Sequence, residues 1–286
     1  MTKQEIIEKA AGFIKTSDKN VFPKEAKTPA NASGIRMYDE PLFSFGSAKD
    51  PLFGEFKKPE ALGAHFISPD GWLDGAQTVI SIFLPFTEEI KKSNRADAFY
   101  PSPEWLYARI EGQMFINDLL RHLQNELIRL GCRAVAPSLD SRFWSKSGMK
   151  EIKNHEDPYP GQSIYTSNWS ERHAAYLCGL GTFGVSRGLI TKKGVAGRLG
   201  SIITDLELEP DRRAYAGLYD YCSLCGACMR RCPAHAISME NGKEHAPCSA
   251  YLDKMGEMFS PRCACGKCQA GVPCESGIPA KYKMNI

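Results

Sequence analysis

Apolar residues recur at helical spacing in two long segments of the chain. Near the N-terminus they fall on one stripe, and Thr2 with Glu5 has the spacing of a capping box. A longer stripe follows Ser102, a typical N-cap residue, and Pro103, which suits a first helical turn; it stops before Gly131, a typical residue just beyond a helix end. We therefore predict two amphipathic helices, with the stripes Ile6, Ile7, Ala10, Phe13, Ile14 and Leu106, Ile110, Leu119, Leu120, Leu123, Leu127, Leu130.

Shorter patterns between these helices predict strands. The β-branched run from Gln77 to Leu84 ends at Pro85 and is typical of a buried strand. A third helix is predicted over Asn168 to Cys178, with Asn168 as its N-cap and Gly179 at its end. Together with short strands at 133–136, 188–191 and 201–206, these elements predict an α/β (α+β) domain over the first two thirds of the chain.

Residues 31–75 combine seven aromatic side chains with many glycines and prolines and show little periodicity. The favoured interpretation is a long loop that is packed by its own side chains. The alternative is a cap over a flat apolar ligand. The aromatic residues concerned are Tyr38, Phe43, Phe45, Phe53, Phe56, Phe66 and Trp72.

Composition narrows the class of protein. The 286 residues carry a formal net charge of +3, which is too weak to indicate nucleic-acid binding. No apolar run reaches about 18 residues, and the N-terminal segment lacks the features of a signal peptide. We therefore expect a cytoplasmic protein without a membrane partner.

The eleven cysteines are distributed unevenly, since nine of them lie between Cys222 and Cys274. Thiols in the cytosol stay reduced, so disulfides are not expected. Cys132 and Cys178 stand alone and are interpreted as small core residues. The change in cysteine content predicts a domain boundary, with an α/β domain at 1–215 and a ferredoxin-like module at 216–286.

The spacing of the clustered cysteines is that of bacterial ferredoxins. Cys222, Cys225, Cys228 and Cys232 followed by Pro233 match C-x₂-C-x₂-C-x₃-C-P, in which the fourth cysteine serves a second cluster. A second group of cysteines follows later in the chain: Cys248, Cys263, Cys265, Cys268 and Cys274. We predict two [4Fe–4S] clusters, one on Cys222, Cys225, Cys228 and Cys274, the other on Cys232, Cys248, Cys265 and Cys268. Cys263 is left over and could compete with Cys265.

Zinc is the alternative metal, because eight cysteines could also hold two Zn²⁺ ions in tetrahedral sites. A zinc ribbon gives no reason for the third cysteine at x₂ or for the Cys-Pro pair. Iron–sulfur clusters are therefore favoured over zinc.

Gly179, Gly181 and Gly184 fit the pattern G-x-G-x-x-G. The dinucleotide-binding motif follows a strand and opens a helix, whereas these glycines follow a predicted helix and lead toward a strand. A Rossmann fold is therefore not predicted. Glycines at this density still allow the backbone to approach another object closely, which would be a neighbouring element or the edge of a cofactor.

The stretch Glu171-Arg172-His173-Ala174-Ala175, the glycine motif and the later cysteine runs resemble the epoxyqueuosine reductase family, relatives of the cobalamin-dependent reductive dehalogenases. The resemblance runs from about Ile164 to Pro279. It implies a nitroreductase-like cobalamin-binding domain followed by a two-cluster module. It also implies a reductase that receives electrons from reduced ferredoxin or flavodoxin and passes them through the clusters to a corrinoid.

The resemblance further implies site residues. Arg172, His173 and the three glycines Gly179, Gly181 and Gly184 would contact the cofactor. Family members have an aspartate proton donor about seven residues before the glutamate of this motif, where this chain has no acid; Tyr165 is the nearest plausible donor.

Two further differences concern the substrate. The chain ends soon after Cys274, so we expect a short form without the C-terminal helical-repeat domain, and the spacing Cys268-x₅-Cys274 is wider than usual for the family. These differences argue against tRNA and favour a small or nucleoside-like substrate. The alternative function is an electron-transfer or activator protein that reduces a corrinoid or another redox partner without substrate chemistry of its own.

Overall fold

The computed structural model describes residues 1–22, 33–152 and 155–280. Within these ranges it contains the following helices and strands, in chain order: α1 Lys3–Thr16, β1 Leu42–Ser47, α2 Leu52–Glu55, α3 Pro69–Trp72, β2 Thr78–Pro85, α4 Glu88–Arg95, α5 Pro103–Arg129, β3 Ala134–Val135, β4 Ser145–Gly148, β5 Ile164–Ser167, α6 Glu171–Cys178, β6 Gly181–Phe183, β7 Leu189–Thr191, β8 Gly197–Thr204, α7 Ala227–Arg230, β9 Ile237–Ser238, β10 Gly242–Lys243 and α8 His245–Met258.

A four-stranded antiparallel sheet forms the centre of the α/β domain. The strand order is β1-β2-β8-β3, and β2 is buried at all eight positions. The register pairs Ile80 of β2 with Phe45 of β1 and with Ile202 of β8. A central strand that is buried on both faces reads as a continuous apolar run, which is why β2 could be predicted from sequence.

The two predicted amphipathic helices pack together against one face of this sheet. In α1 the Thr2 side chain and Glu5 form the predicted capping box, and Ile6, Ala10 and Ile14 are buried. In α5 the Ser102 hydroxyl accepts a hydrogen bond from the Trp105 amide. Most of the predicted α5 stripe is buried, whereas Ile110 and Leu130 are exposed.

The other face of the sheet carries the aromatic residues that follow Asp50. Phe53, Phe56, Phe66 and Trp72 are buried in one cluster with Trp169. These rings therefore pack with one another and with the protein core, as the favoured loop interpretation predicts. The strand β1 lies inside the same segment and was missed, because glycines and prolines surround its alternating apolar positions.

The start of α6 corrects one prediction. The helix begins after Ser170 and not after Asn168. The Asn168 side chain instead accepts from the Trp144 amide at 3.1 Å and donates to the Arg142 carbonyl at 2.8 Å, so it joins two loops. Gly179 ends the helix as predicted, with a positive φ of 103°.

The cysteine-rich part of the chain packs closely on the preceding part and shares its core, since Ala264 and Ala270 are buried in one cluster with Phe115. The last cysteine segment contacts the loop between β7 and β8, where the Val195 amide donates to the Cys274 carbonyl at 2.9 Å. On the other side, the buried Lys267 ammonium donates to the Asn94 carbonyl at 2.8 Å. In the part of the chain that the structure describes, no helix has the length and apolar character needed to cross a membrane.

Candidate functional site

The first group of cysteines lines one small cavity together with the end of the glycine motif. Positive φ angles at Leu224 and Gly226 turn the chain sharply between its cysteines, and α7 begins directly after Gly226. Gly184 lines the same cavity, with its hypothetical Cβ 3.8 Å from the Cys222 sulfur. The four cysteines at this cavity are Cys222, Cys225, Cys228 and Cys274.

The pKa of Cys274 reflects the presence of the other three thiols. Burial, and to a smaller extent the neighbouring Cys222, Cys228 and Cys225, raise the pKa of Cys274 to about 12. These thiols disfavour one another's ionisation, and a bound metal centre would reverse this penalty by stabilising the thiolates.

The second group comes from the end of α7, the first turn of α8 and the loop after α8. Burial raises the pKa of Cys265 to about 12, and Cys268 and Cys248 act on it in the same direction. Cys268 and Cys232 in turn raise the pKa of Cys248. Cys268 of the second group also raises the pKa of Cys228, which belongs to the first group. The two groups are therefore adjacent.

Cys263 lies apart from both groups. Its thiol donates to the Leu252 carbonyl at 3.0 Å, and the charges that act on its pKa are those of Lys150, Arg109 and Asp253. Among the described residues, no three His, Cys, Asp or Glu side chains converge tightly enough to bind a single metal ion. The structure thus sets Cys263 apart from the other clustered cysteines, and the assignment of those eight as cluster ligands stays a prediction.

Three arginines lie near one another beside the second group, and we call the region around them the arginine recess: Arg109 of α5, Arg172 of α6 and Arg198 of β8. Arg109 and Arg172 can be reached by water, and Arg198 is half-buried. Burial nevertheless lowers the pKa of all three guanidinium groups, that of Arg198 to about 10. A side chain that is open to water but surrounded by protein lies in the wall of a recess rather than on a convex surface.

Arg172 connects this recess to the second cysteine group. Its Nη1 donates to the Arg187 carbonyl at 2.8 Å, and Cys268 is the acidic group that acts on its pKa. Lys243 of β10 also lies near the second cysteine group, since Cys268 and Cys248 raise the pKa of Lys243. Positive side chains next to thiolates favour the ionised ligand and stabilise a negatively charged centre.

Tyr165 lies on the same side of the molecule. Its ring centroid lies 5.2 Å from that of His245 in an edge-on arrangement. Its hydroxyl lies within hydrogen-bonding reach of the Ser249 and Cys248 side chains. His245 forms a 3.0 Å hydrogen bond with Arg187, which contacts Arg172. Burial raises the pKa of the Tyr165 hydroxyl, so the group stays protonated at neutral pH. The structure therefore brings Tyr165 and Arg172 into one neighbourhood.

His173 is held among aromatic rings. Its Nδ1 lies 2.7 Å from the Ser170 hydroxyl, and its ring lies 4.9 Å from Phe56 and 5.0 Å from Phe183. Burial and the charge of Arg172 lower its pKa to about 4. A neutral imidazole in this position can donate or accept a hydrogen bond but carries no charge at neutral pH.

The glycines of the motif have distinct surroundings. A Cβ at Gly181 would lie 2.0 Å from the Ile190 carbonyl oxygen, because β6 pairs with β7 there. A Cβ at Gly179 would lie 3.2 Å from the Ser44 hydroxyl. Both positions are thus accounted for by a neighbouring element. Only Gly184 lines the first cysteine cavity, which is the second of the two readings offered by the sequence.

Several residues of this site carry no local sequence signal. Arg109 and Arg198 are single charges in amphipathic elements, and only the packing of α5 on β8 brings them together. Lys243 and His245 follow the cysteine run, but the sequence does not show that they turn toward Arg172.

Comparisons with known proteins agree with this geometry. A family model described as a 4Fe-4S binding domain matches residues 218–238. Tetrachloroethene reductive dehalogenase of Desulfitobacterium hafniense is 36% identical over 111 residues, covering 36% of this chain and 20% of that protein. The enzyme of the same name from Dehalobacter restrictus is 45% identical over 67 residues, covering 23% of this chain and 12% of its own. These matches therefore span a fifth or less of the dehalogenases.

Solved structures extend the likeness to the whole fold. Epoxyqueuosine reductase from Streptococcus thermophilus has a TM-score of 0.52 and 19% identity, covering 100% of this chain and 69% of that one. An epoxyqueuosine reductase solved with a modified tRNA stem loop has a TM-score of 0.52 and 16% identity, covering 97% of this chain and 66% of that one. The chain thus contains a 4Fe-4S binding motif, has the fold of the epoxyqueuosine reductases and is related in sequence to the reductive dehalogenases, and both groups of relatives are oxidoreductases.

Proposed function

We propose that this chain is an iron–sulfur reductase that carries two [4Fe–4S] clusters and passes electrons to a corrinoid, which reduces a small or nucleoside-like substrate. The observation that carries the proposal is the adjacency of two groups of four cysteines, the second of which borders the arginine recess. Clusters held by these adjacent cysteine groups would provide a relay, and the recess beside the second group would provide a place for the acceptor.

The arrangement gives the relay a direction. The first group lies under an exposed loop, in which Leu224 has 55% of its surface accessible, so an external donor can approach it. The second group lies beside Arg172 and Tyr165. Electrons would therefore enter from reduced ferredoxin or flavodoxin at the first cluster and leave from the second.

The protein groups around the recess suit a corrinoid in two respects. Arg109, Arg172 and Arg198 offer several N–H donors for the polar substituents of such a cofactor. His173 and His245 are held by protein partners, Ser170 and Arg187, and would not be needed as ligands of a bound corrinoid. A bound corrinoid would supply a metal centre that is a strong reductant. The protein would hold it near the second cluster.

Tyr165 is the proposed proton donor. Its hydroxyl is protonated at neutral pH and lies next to Ser249, at the junction of the second cysteine group and the recess. Reduction of a substrate by electrons alone leaves a basic product, so a positioned acid lowers the barrier. Ser249 would orient the hydroxyl.

The alternative is an activator protein that reduces a corrinoid held by another protein. Such a protein would use the same two clusters but would bind no corrinoid itself. The two functions differ in one measurable property, the affinity of the purified chain for a corrinoid.

We expect the cluster-loaded protein to bind hydroxocobalamin with a dissociation constant in the micromolar range or below and to give a base-off spectrum on reduction. Anaerobic titration followed by absorption spectroscopy measures both. Absence of binding, together with reduction of a corrinoid on a partner protein, would favour the activator function instead.

Tyr165→Phe removes only the hydroxyl. If this group is the proton donor, the substitution lowers the rate of substrate reduction by about 10²–10⁴-fold, while cluster content and corrinoid affinity stay unchanged. Single-turnover measurements on the reduced protein separate the proton-transfer step from binding. Tyr219→Phe, at an exposed position outside the recess, serves as the control. Unchanged turnover in Tyr165→Phe would remove the proposed role.

Substitution of Cys265 and Cys263 distinguishes the ligand from the spare thiol. Because Cys265 is grouped with Cys248 and Cys268 whereas Cys263 bonds the Leu252 carbonyl, Cys265→Ser is expected to lose about half of the iron. Cys263→Ser is expected to keep all of it. Iron and sulfide analysis of both variants after identical anaerobic purification gives the answer, and the reverse result would exchange the two assignments.

A further inference from the structure

A fully buried lysine lies within the second cysteine group and has no carboxylate partner. Lys267 stands between Cys265 and Cys268 in the chain, and 0% of its surface is accessible to water. Its ammonium donates to the backbone and side-chain oxygens of Asn94, at 2.8 and 3.2 Å. Among the residues that the structure describes, no carboxylate forms an ion pair with it. A buried charge of this kind is costly unless an opposite charge lies near it.

The carboxylate of Asp97, three residues after Asn94, does not remove this cost. Asp97 is exposed. Its side chain accepts hydrogen bonds from the Phe99 and Tyr100 amides, each at 2.6 Å. Water screens an exposed carboxylate, so Asp97 compensates a buried ammonium only weakly. The two cysteines that flank Lys267 in the chain are another source of negative charge.

The segment that carries Lys267 is held in place on two sides. The Asn94 side chain donates to the Cys265 carbonyl at 3.1 Å, so the residue that accepts from Lys267 also binds a proposed ligand cysteine. Asn94 is itself fully buried. On the other side, Gly266 packs so closely on the Trp105 indole that a Cβ would have no room. The ammonium is therefore fixed inside the protein and does not turn outward to water.

A bound iron–sulfur centre would supply the missing counter-charge. A [4Fe–4S] centre on four thiolates carries roughly −2, and reduction by one electron adds a further negative charge. A fixed positive charge nearby stabilises the reduced form more than the oxidised form. Cys265 and Cys268, on either side of the lysine, both belong to the proposed ligands of the second cluster.

We propose that the Lys267 ammonium, through its charge, raises the reduction potential of the second cluster and so makes it a better electron acceptor for the first. One electron leaves the first cluster and one arrives at the second, and the external ferredoxin or flavodoxin replaces the electron that was lost. The lysine tunes the cluster and touches no substrate, because it is fully buried. This inference rests on the proposed function in requiring both clusters, but it does not depend on the corrinoid.

The test compares wild type with Lys267→Gln, Asn94→Ala and Lys254→Gln, all purified without oxygen and loaded with clusters. Glutamine at 267 keeps a donor toward Asn94 but removes the charge. Asn94→Ala keeps the charge but removes contacts that hold the segment, so it reports a purely structural role. Lys254 is exposed on α8, the helix that contains Cys248, and controls for the loss of a surface charge. Iron and sulfide are measured first, and a redox titration followed by electron paramagnetic resonance then gives both potentials.

Lys267→Gln is expected to lower the ratio of reduced to oxidised second cluster about tenfold at a fixed potential, which is a midpoint about 59 mV more negative for one electron. Only one of the two clusters is expected to change by this amount, since ligands of the second group alone flank Lys267. Asn94→Ala and Lys254→Gln retain the buried charge and are expected to change either ratio by less than about twofold. Loss of the second cluster from Lys267→Gln but not from Asn94→Ala also supports the inference, because the charge would then be needed to hold the cluster.

Equal potentials in wild type and Lys267→Gln overturn the inference. An equal shift in Asn94→Ala, or loss of a cluster from both variants, overturns it as well, because the position of the segment would then matter and not the charge. If Asn94→Ala alone loses a cluster, the comparison of Lys267→Gln with wild type decides. A wild type without iron and sulfide contradicts the proposed function together with the inference, whereas two clusters with unchanged potentials in Lys267→Gln contradict the inference alone.

Discussion

The contact of the last cysteine segment with the loop before β8 is the interaction on which the rest of the site depends. The Val195 and Ala196 amides in this loop donate to the Cys274 and Glu275 carbonyls. The contact is so close that Gly194 has no room for a side chain against Glu275. Glu275 then forms an ion pair with Arg95 of α4 at 2.6 Å. These bonds bring Cys274 to the cavity of the first group.

The proposed clusters would also change the charge balance of the chain. Two clusters on eight thiolates would add roughly four negative charges to a chain with a formal charge of +3. The structure collects positive side chains where that charge would be: Lys243 and Arg172 near the second group, and the fully buried Lys267 between two of its cysteines. The small positive charge of the whole chain therefore reflects side chains near the cysteines and does not indicate nucleic-acid binding.

How much the sequence could predict depended on how local each determinant is. The capping box of Thr2 and Glu5, the apolar strand β2 and the spacing of Cys222 to Cys232 each involve residues close together in the chain, and each was recognised. The start of α6 was misplaced because Asn168, a good N-cap residue, is used by Arg142 and Trp144 from another loop.

The arginine recess could not be predicted for a related reason. Arg109 lies on a helix whose pattern indicates only an amphipathic element, and Arg198 lies on a strand at the register position opposite Leu84. Their proximity results from the packing of α5 on the sheet, where Leu120 and Ile116 contact the position of Gly200.

The measurement that tests the central claim most directly is the iron, sulfide and zinc content of the intact chain purified without oxygen, combined with Mössbauer spectroscopy. Two adjacent clusters predict about eight iron and eight inorganic sulfide per chain, a brown solution and the spectrum of cubane centres. A colourless protein with two zinc ions, or iron without sulfide, would contradict the account.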